Sequence, residues 1–380
     1  MLLINTIIVN SLLPTAVLLL AAGLDYFIGD PWGWPHPVQA MGWVISHFTQ
    51  FALKQWSCED EKDTESRETG KTNSNKEEEV FAQSRINQSA SDYVLLTRYR
   101  SLPSVQLKRR LAGIVLGVGL IIGSGLAGWL LVQGASWVHQ LLGIGAEAVL
   151  LASCFAGRSL RTAAVDVLQP LTDGQLAQAR SNLSQYVGRD TEKLTEPEIL
   201  RAVLETVTEN GTDGVMAPLF YAIIGAFLPG VGSVPLALAY KAASTLDSMV
   251  GYRQEPYTDL GWFSAKLEDL LTWLPCRLTV ITLALLSGKP QQVLRLCRRD
   301  APHDPSPNSG WSECAYAAIL GVQLGGTNWY QGVAKHKPVL GDPVHPITPA
   351  KIYEALRLTR YCFLIWLSVA IASLSRMVLT

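Results

Sequence analysis

The sequence predicts a mainly α-helical, polytopic membrane protein with broken or re-entrant membrane segments and a helical region on the cytoplasmic side. Three observations carry that prediction. Charged residues make up 17% of the chain and hydrophobic ones 48%, against the about 25% charge usual in soluble domains. The run Leu111–Val132 holds no charged residue and is long enough to cross a hydrocarbon core of about 30 Å. A second uncharged run, Val215–Tyr240, is interrupted by Pro229, Gly230, Gly232 and Pro235. That pattern suits two half-spans or a re-entrant hairpin as well as one kinked helix, because irregular backbone at membrane depth survives only inside protein or along a cavity.

Taken in order, Ile7–Gly23 is a first span. It lacks the basic region of a cleaved signal and is therefore expected to be retained. Cys58–Ser91 is rich in Glu, Lys, Ser, Thr and Asn; such a stretch buries too little apolar surface to offset its ordering entropy, so 58–91 reads as a disordered insertion. The Leu111 span carries Gly113, Gly117, Gly119, Gly123, Gly125 and Gly128, whose small size favours close helix packing over a ligand role. Trp137–Gly157 is apolar apart from Glu147. From Thr172 to Thr208 the pattern is that of a soluble helical region. Asp173 is the expected N-cap before Gln175–Tyr186, and Thr195 with Glu198 forms a capping box leading into Ile199–Val207. Leu278–Leu286 is too short to span and is expected in the interface, whereas Cys362–Leu374 with its flanks completes a last span. No strand alternation stands out. The whole chain, 1–380, reads as one integral-membrane domain.

Arg98, Arg100, Lys108, Arg109 and Arg110 precede the Leu111 span, and 134–157 has no Lys or Arg. The positive-inside rule then places the 54–110 loop in the cytoplasm and the N-terminus outside, with Arg158 and Arg161 returning the chain to the cytoplasm. The expected host is a bacterial plasma membrane, with the active site on the cytoplasmic side. A net charge of −1 argues against nucleic acid as a partner. The six cysteines form no CxxC pair and no metal-ligand spacing, so neither a disulfide framework nor an iron–sulfur site is expected.

The functional signal lies in polar islands beside apolar runs, where ionisable groups are costly. The first, Leu24 to Val38, holds Asp25, Asp30 and His36; the acids suit Mg²⁺ and the imidazole suits phosphate or proton transfer, and a helix stop with a Pro-rich turn explains them equally well. The second, Glu209 to Phe220, brings Glu209, Asn210, Thr212 and Asp213 to a glycine-containing turn, with Glu205 on the face of Glu209. Oxygen donors on such a turn suit Mg²⁺ or a phosphate-bearing nucleotide better than plain capping. The third carries Lys241, Asp247, Asp259, Trp262, Lys266, Glu268 and Asp269; Lys241 is either a snorkelling anchor or a phosphate grip. The fourth, Arg298 to Trp311, gathers Arg298, Arg299, His303, Asp304 and Asn308 on a Pro- and Gly-rich loop, the kind of segment that often carries active-site groups and is also an ordinary surface turn. A fifth, Gly341 to Pro346, holds Asp342 and His345. No Walker loop, GxGxxG, GxSxG or HExxH motif is present.

The segments LDYFIGDPWGWPHPVQAMG, GRD at 188–190, ENGTDGVMAPLFYA, LAYKAASTLDSMVGY, DLGWFSAKLEDL, DAPHDPSPNSGW and GDPVHPI together resemble the CobD/CbiB family, adenosylcobinamide-phosphate synthase. The resemblance covers most of the chain. Residues 58–91 depart from it, as does Gly211, where the family more often has a small polar or β-branched residue. The resemblance implies a membrane enzyme of cobalamin biosynthesis that uses ATP to join adenosylcobyric acid to (R)-1-amino-2-propanol or its O-phosphate. Its implied partners are the corrinoid, the amine and the bilayer, with other corrinoid-pathway membrane enzymes as neighbours.

The roles are inferred from chemistry. Activating a carboxylate with ATP needs charge stabilisation on the phosphoryl group, and the attacking amine must lose a proton to a base. Asp25, Asp30, Glu209 and Asp213 are the candidates for Mg²⁺. Lys241, Arg298 and Arg299 are candidates for phosphate contact, and Asn210 and Asn308 for substrate polar contact. His36 and His303 are candidates for base or phosphate duty, with Asp247 as a further catalytic candidate. Trp262 and Trp311 suit an apolar wall for the corrin. The alternatives are a non-catalytic AmpE-like membrane sensor and a corrinoid-handling scaffold or transporter.

Overall fold

The computed structural model describes residues 2–29, 36–71 and 103–379, with side chains over 13–29, 36–55 and 105–377. Asp30 lies outside the described residues. Of the stretch 58–91, residues up to 71 continue a helix and the remainder lies outside the described residues.

The described chain is helical apart from one hairpin: α1 (Leu2–Phe27), α2 (Pro37–Lys71), α3 (Pro103–Val138), α4 (Gln140–Ala152), α5 (Gly157–Thr172), α6 (Leu176–Leu183), α7 (Glu196–Asn210), a π-helical turn (Gly211–Met216), α8 (Ala217–Ala226), α9 (Ser233–Val250), α10 (Tyr257–Leu260), α11 (Trp262–Leu286), α12 (Pro290–Asp300), a 3-10 turn (Ala301–His303), α13 (Ser309–Leu320), β1 (Leu324–Tyr330), β2 (Val333–Leu340) and α14 (Pro349–Leu379). Among the described residues, four segments are long and apolar enough to cross a membrane: Val105–Val138, Gln140–Thr172, Trp262–Leu286 and Pro349–Met377. Leu278–Leu286 is thus the end of a span-length helix, not an interfacial fragment; Trp262 to Arg277 supplies the missing length. α1 encloses the expected first span, and its Leu13–Phe27 part is a shorter apolar helix.

The chain divides into two compact units. The first comprises 1–38, 121–244 and 267–380. In it α1 packs on α4 and α14, and α7 packs on α5, α13 and α14. α5 buries Leu160, Ala164, Val167, Leu168 and Leu171, a spacing that puts them on one helical face. Arg158, at its start, donates to the carbonyls of Tyr26 (3.2 Å) and Phe27 (2.7 Å), satisfying the open end of α1. α7 begins with the expected capping box: the Thr195 amide and hydroxyl each donate to Glu198 Oε2 at 2.7 Å. Asp173, by contrast, is the C-cap of α5, and the N-cap position of α6 is Gln175, which makes no side-chain capping bond.

Between α8 and α9 the backbone turns through Gly230 (φ 80°) and Gly232 (φ 86°), so the broken apolar run is two helices. Gly225 lets them close up, since a Cβ there would collide with the Gly232 carbonyl. One hairpin joins the helices, although no strand alternation stands out in the sequence. β1 and β2 are antiparallel and joined at Gln331 (φ 51°) and Gly332 (φ 78°), both left-handed as a two-residue hairpin turn requires. Asp190 holds that turn, accepting from the amides of Gln331 (2.9 Å) and Gly332 (2.8 Å).

The second unit comprises 39–120 and 245–266. Its core joins Ile45, Leu116, Leu246 and Val250, with Phe48, Leu120, Met249 and Tyr257 around them. Arg110 pairs with Asp259 at 2.9 Å and Arg109 with Glu255 at 3.4 Å. The glycines of α3 act as spacers, as expected: Gly113 faces the Leu260 carbonyl and Gly117 faces Phe263, while in the first unit Gly125 faces the Pro235 carbonyl and Gly128 faces Leu238. Gly119 and Gly123 face open space.

Candidate functional site: a buried acid and ammonium centre

One group of buried charged side chains in the first unit lies where α7, α13, the loop before α13 and the hairpin meet. α7 contributes Glu205 and Glu209, one turn apart on one face. Glu205 is buried and fully engaged: Arg189 donates to Oε2 at 2.5 Å and the Gly325 amide to Oε1 at 2.9 Å, with Arg201 4.0 Å away. Arg189 and Arg201 also reach Asn328 Oδ1 at 2.7 and 3.1 Å, and Arg201 donates to the carbonyls of Thr327 (3.0 Å) and Gly325. Gly326 (φ 95°) leaves room for that approach, because a Cβ would lie 3.0 Å from the Arg201 guanidinium.

Lys337 of β2 is the second focus. Its ammonium lies 2.6 Å from Glu313 Oε1 and 3.8 Å from Asp304 Oδ2. The Glu313 side chain is 0% exposed and that of Asp304 3%, against 24% for Lys337. Removal from water pushes the Glu209 and Glu313 carboxyls above their ordinary range, partly opposed by the Lys337 charge. Burial draws the Lys337 ammonium down, but attraction to Glu313, Glu209 and Asp304 outweighs it and the net shift is upward. The carboxyls share one ammonium and so do not ionise independently.

The π-helical turn separates two acids that sequence spacing would place together. Asp213 lies four residues after Glu209, one helical turn on, but the extra residue of a π turn rotates the chain beyond it. Glu209 acts on Lys337, Asp304, Glu205 and Arg189, whereas Asp213 acts on Tyr240 and Cys276. The turn passes beneath Tyr316 and Thr359, whose hydroxyls bond at 2.6 Å. A Cβ at Gly211 would lie 3.1 Å from each hydroxyl oxygen, so a larger residue there would force them aside. Thr212 and Ser312 bond at 2.7 Å, and Ser312 donates to the Thr208 carbonyl at 2.6 Å, tying α7 to α13.

Of the other sequence candidates, several have structural partners. Asp25 is buried against the start of α5, 3.4 Å from the Arg158 amide. His36 Nδ1 accepts from the Val38 amide at 3.2 Å at the start of α2. Asn210 donates to the Thr206 carbonyl at 2.9 Å, and Asn308 is buried and donates to the Asp269 carbonyl at 2.8 Å. Arg299 pairs with Asp300 (2.6 Å) and Asp342 (2.8 Å), while Arg298 and His303 are exposed. Trp311 lies under the Arg277 guanidinium at 4.4 Å, and Lys241 is half-buried on α9. Asp247 and Trp262 belong to the second unit, where Arg110 sits 5.5 Å over Trp262.

The expected Mg²⁺ set does not fit the described side chains. Asp25, Glu209 and Asp213 point to different surroundings, and among the described residues no three His, Cys, Asp or Glu side chains gather to hold a metal. Around Glu209 a cation is already supplied by Lys337. Sequence reasoning alone does not single out Lys337, Glu313, Arg189 or Asp190. The available signals are the GRD at 188–190 and the Gln331-Gly332 turn between Tyr330 and Val333, which marks a hairpin and so brings Lys337 into view.

These features define a class: a helical membrane protein whose apolar helices carry a buried, ion-paired polar centre. The chain belongs to the CobD/CbiB family, since the family model described as CobD/Cbib protein matches residues 90–359. It is 49% identical over 357 residues to a protein of Synechocystis sp. named cobalamin biosynthesis protein CobD, a match covering 93% of this chain and 91% of that one. It is 39% identical to one of the same name from Halalkalibacterium halodurans, covering 88% of each. It is also 34% identical to cobalamin biosynthesis protein CbiB of Salmonella typhimurium, covering 88% of this chain and 89% of that one. No solved structure matches the chain.

Proposed function

We propose that the chain acts in cobalamin biosynthesis as an ATP-dependent amide-forming ligase, joining adenosylcobyric acid to (R)-1-amino-2-propanol or its O-phosphate on the cytoplasmic side of the bacterial plasma membrane. Family membership supports the pathway. The observation that carries the chemistry is the Lys337 ammonium 2.6 Å from the buried Glu313 carboxyl, with Glu209 within its electrostatic reach.

Amide formation at a carboxylate needs activation. A carboxylate oxygen of the corrinoid attacks the γ-phosphorus of ATP, ADP leaves, and an acyl phosphate results. The amine nitrogen attacks the acyl carbon, phosphate leaves with the electron pair of the C–O bond, and one N–H proton goes to a base. Glu209, half-buried at the end of α7, takes the earlier proton that converts the substrate ammonium to the neutral amine, and the N–H proton lost on attack leaves with the departing phosphate. Lys337 opposes the negative charge on the acyl phosphate oxygens; a fixed cation in a water-poor site does this without reorganisation. Any Mg²⁺ in the reaction is then the counter-ion that ATP brings with it, not a resident of this centre.

The test is complementation. In a strain lacking its own enzyme and supplied with cobyric acid, the native chain restores cobalamin synthesis, while Glu209→Gln reaches the same membrane level and lowers the rate at least about 100-fold, the scale of general base catalysis. A Glu209→Gln strain growing at the native rate would remove Glu209 from the chemistry.

A further inference from the structure

The carboxylates around Lys337 are not all satisfied by the groups that face them. Both oxygens of Glu205 are engaged. Glu313 differs: Oε1 accepts from Lys337, but Oε2 has no hydrogen-bond partner although the side chain is 0% exposed. Asp304 repeats the pattern. Its Oδ1 accepts from the Ser306 amide at 2.9 Å and the Ser309 hydroxyl at 3.4 Å, while Oδ2 accepts no hydrogen bond and the side chain is 3% exposed. Two buried oxygens, from α13 and from the loop before it, therefore lack donors, and buried polar atoms in native folds rarely do. The charges lean the same way. Four acid side chains, Glu205, Glu209, Asp304 and Glu313, face three cationic ones, Arg189, Arg201 and Lys337, so a further cation would let every acid ionise.

What would complete this centre is a compact cation with several donors. A guanidinium fork matches the two oxygens of one carboxylate, whereas the open oxygens here belong to two. A divalent metal ion would meet twice the repulsion from the Lys337 ammonium that a singly charged cation meets, and among the described residues no three His, Cys, Asp or Glu side chains gather to hold one. A primary ammonium, with three donors in a tetrahedral arrangement, suits oxygens on different residues. We propose that Glu313 Oε2 and Asp304 Oδ2, with Glu209 beside them, are the seat of the substrate's primary ammonium. The identity of that substrate rests on the ligase reading; the ammonium chemistry does not. Once seated, the ammonium gives one proton to the Glu209 carboxylate and becomes the neutral nucleophile. Both 1-amino-2-propanol and its O-phosphate carry the group that this seat would recognise.

The experiment titrates the full chain in detergent with 1-amino-2-propanol, with its O-phosphate and with 1,2-propanediol, in which a hydroxyl replaces the ammonium, reading binding by calorimetry and amide formation by mass spectrometry. The native chain should bind at least one amine and not the diol. Glu313→Gln and Asp304→Asn should each weaken amine binding at least about tenfold and raise the amine KM, while exposed Arg295→Gln changes neither. Two variants are used because Glu313→Gln is the more disruptive; thermal unfolding identifies any that has lost its fold, and Asp304→Asn keeps the amide and hydroxyl donors at Oδ1. Equal binding of the diol, no amine binding by the native chain, or native amine affinity in folded Asp304→Asn would each overturn the seat. If amide forms but the acid variants bind amine normally, the seat fails and the ligase reading stands. If amine binding depends on these acids but no amide ever forms, the seat stands and the ligase reading fails.

Discussion

Replacing Lys337 by Met removes the ammonium 2.6 Å from a carboxylate whose side chain is 0% exposed. Breaking a buried ion pair by deleting one partner costs about 3–5 kcal/mol, because the other charge is left uncompensated. Two features place this case at the low end. The Lys337 side chain is 24% exposed, so water already screens it, and Glu313 can take up a proton, which limits what an orphaned charge can cost. The expectation is a loss of about 3 kcal/mol for Lys337→Met. In a Glu313→Gln background the same change should cost under about 1 kcal/mol, leaving about 2 kcal/mol of coupling, within the range for residues in direct contact. The assay is reversible unfolding in mild detergent, followed by tryptophan fluorescence, for the four corners of the cycle. Equal losses in both backgrounds, or a Lys337→Met cost below about 1 kcal/mol, would refute the view that this pair organises the centre.

The fold sets three further outcomes. Asp190→Ala removes the acceptor of the Gln331 and Gly332 amides and should cost about 1–2 kcal/mol, a cap-sized loss, read as faster hydrogen exchange at those two amides than in the native chain. Gly225→Ala drives a methyl into the Gly232 carbonyl and should destabilise by about 1–3 kcal/mol, seen as a lower melting temperature; an unchanged melt would mean that α8 and α9 are not closed up as described. The Glu198 carboxyl is held below its ordinary range by donation from the Thr195 hydroxyl and amide. Its stabilising effect is therefore complete above the unfolded carboxyl pKa of about 4.3 and fades as pH falls through the lower folded value; Thr195→Ala should flatten that part of the acid titration of stability.

Local features were legible in the sequence and long-range ones were not. The Thr195–Glu198 box, the spacer glycines of α3 and the break at Gly230 and Gly232 each act within a few residues or by size alone, so their residue types reveal them. The hairpin was hidden because Gly325 and Gly326 bulge β1 and Pro338 interrupts β2, erasing the alternation by which a strand is recognised. Glu209 was legible as one of a cluster of acids on a turn. Its partners were not: Asp304, Glu313 and Lys337 lie far along the chain, and no local pattern announces such a contact. Glu209 and Asp213, grouped in the sequence as oxygen donors on one turn, face different groups, because the π turn between them carries Asp213 towards Tyr240 and Cys276.

The central claim is that this chain forms the amide bond itself, and reconstitution tests it most directly. The purified full chain in detergent or lipid, given adenosylcobyric acid, ATP with Mg²⁺ and each of the two amines in turn, should yield an amide product by mass spectrometry with one ADP released per amide made, and no product when ATP is left out. A folded preparation that binds the corrinoid yet makes no amide from either amine, or that makes it equally well without ATP, would contradict the account.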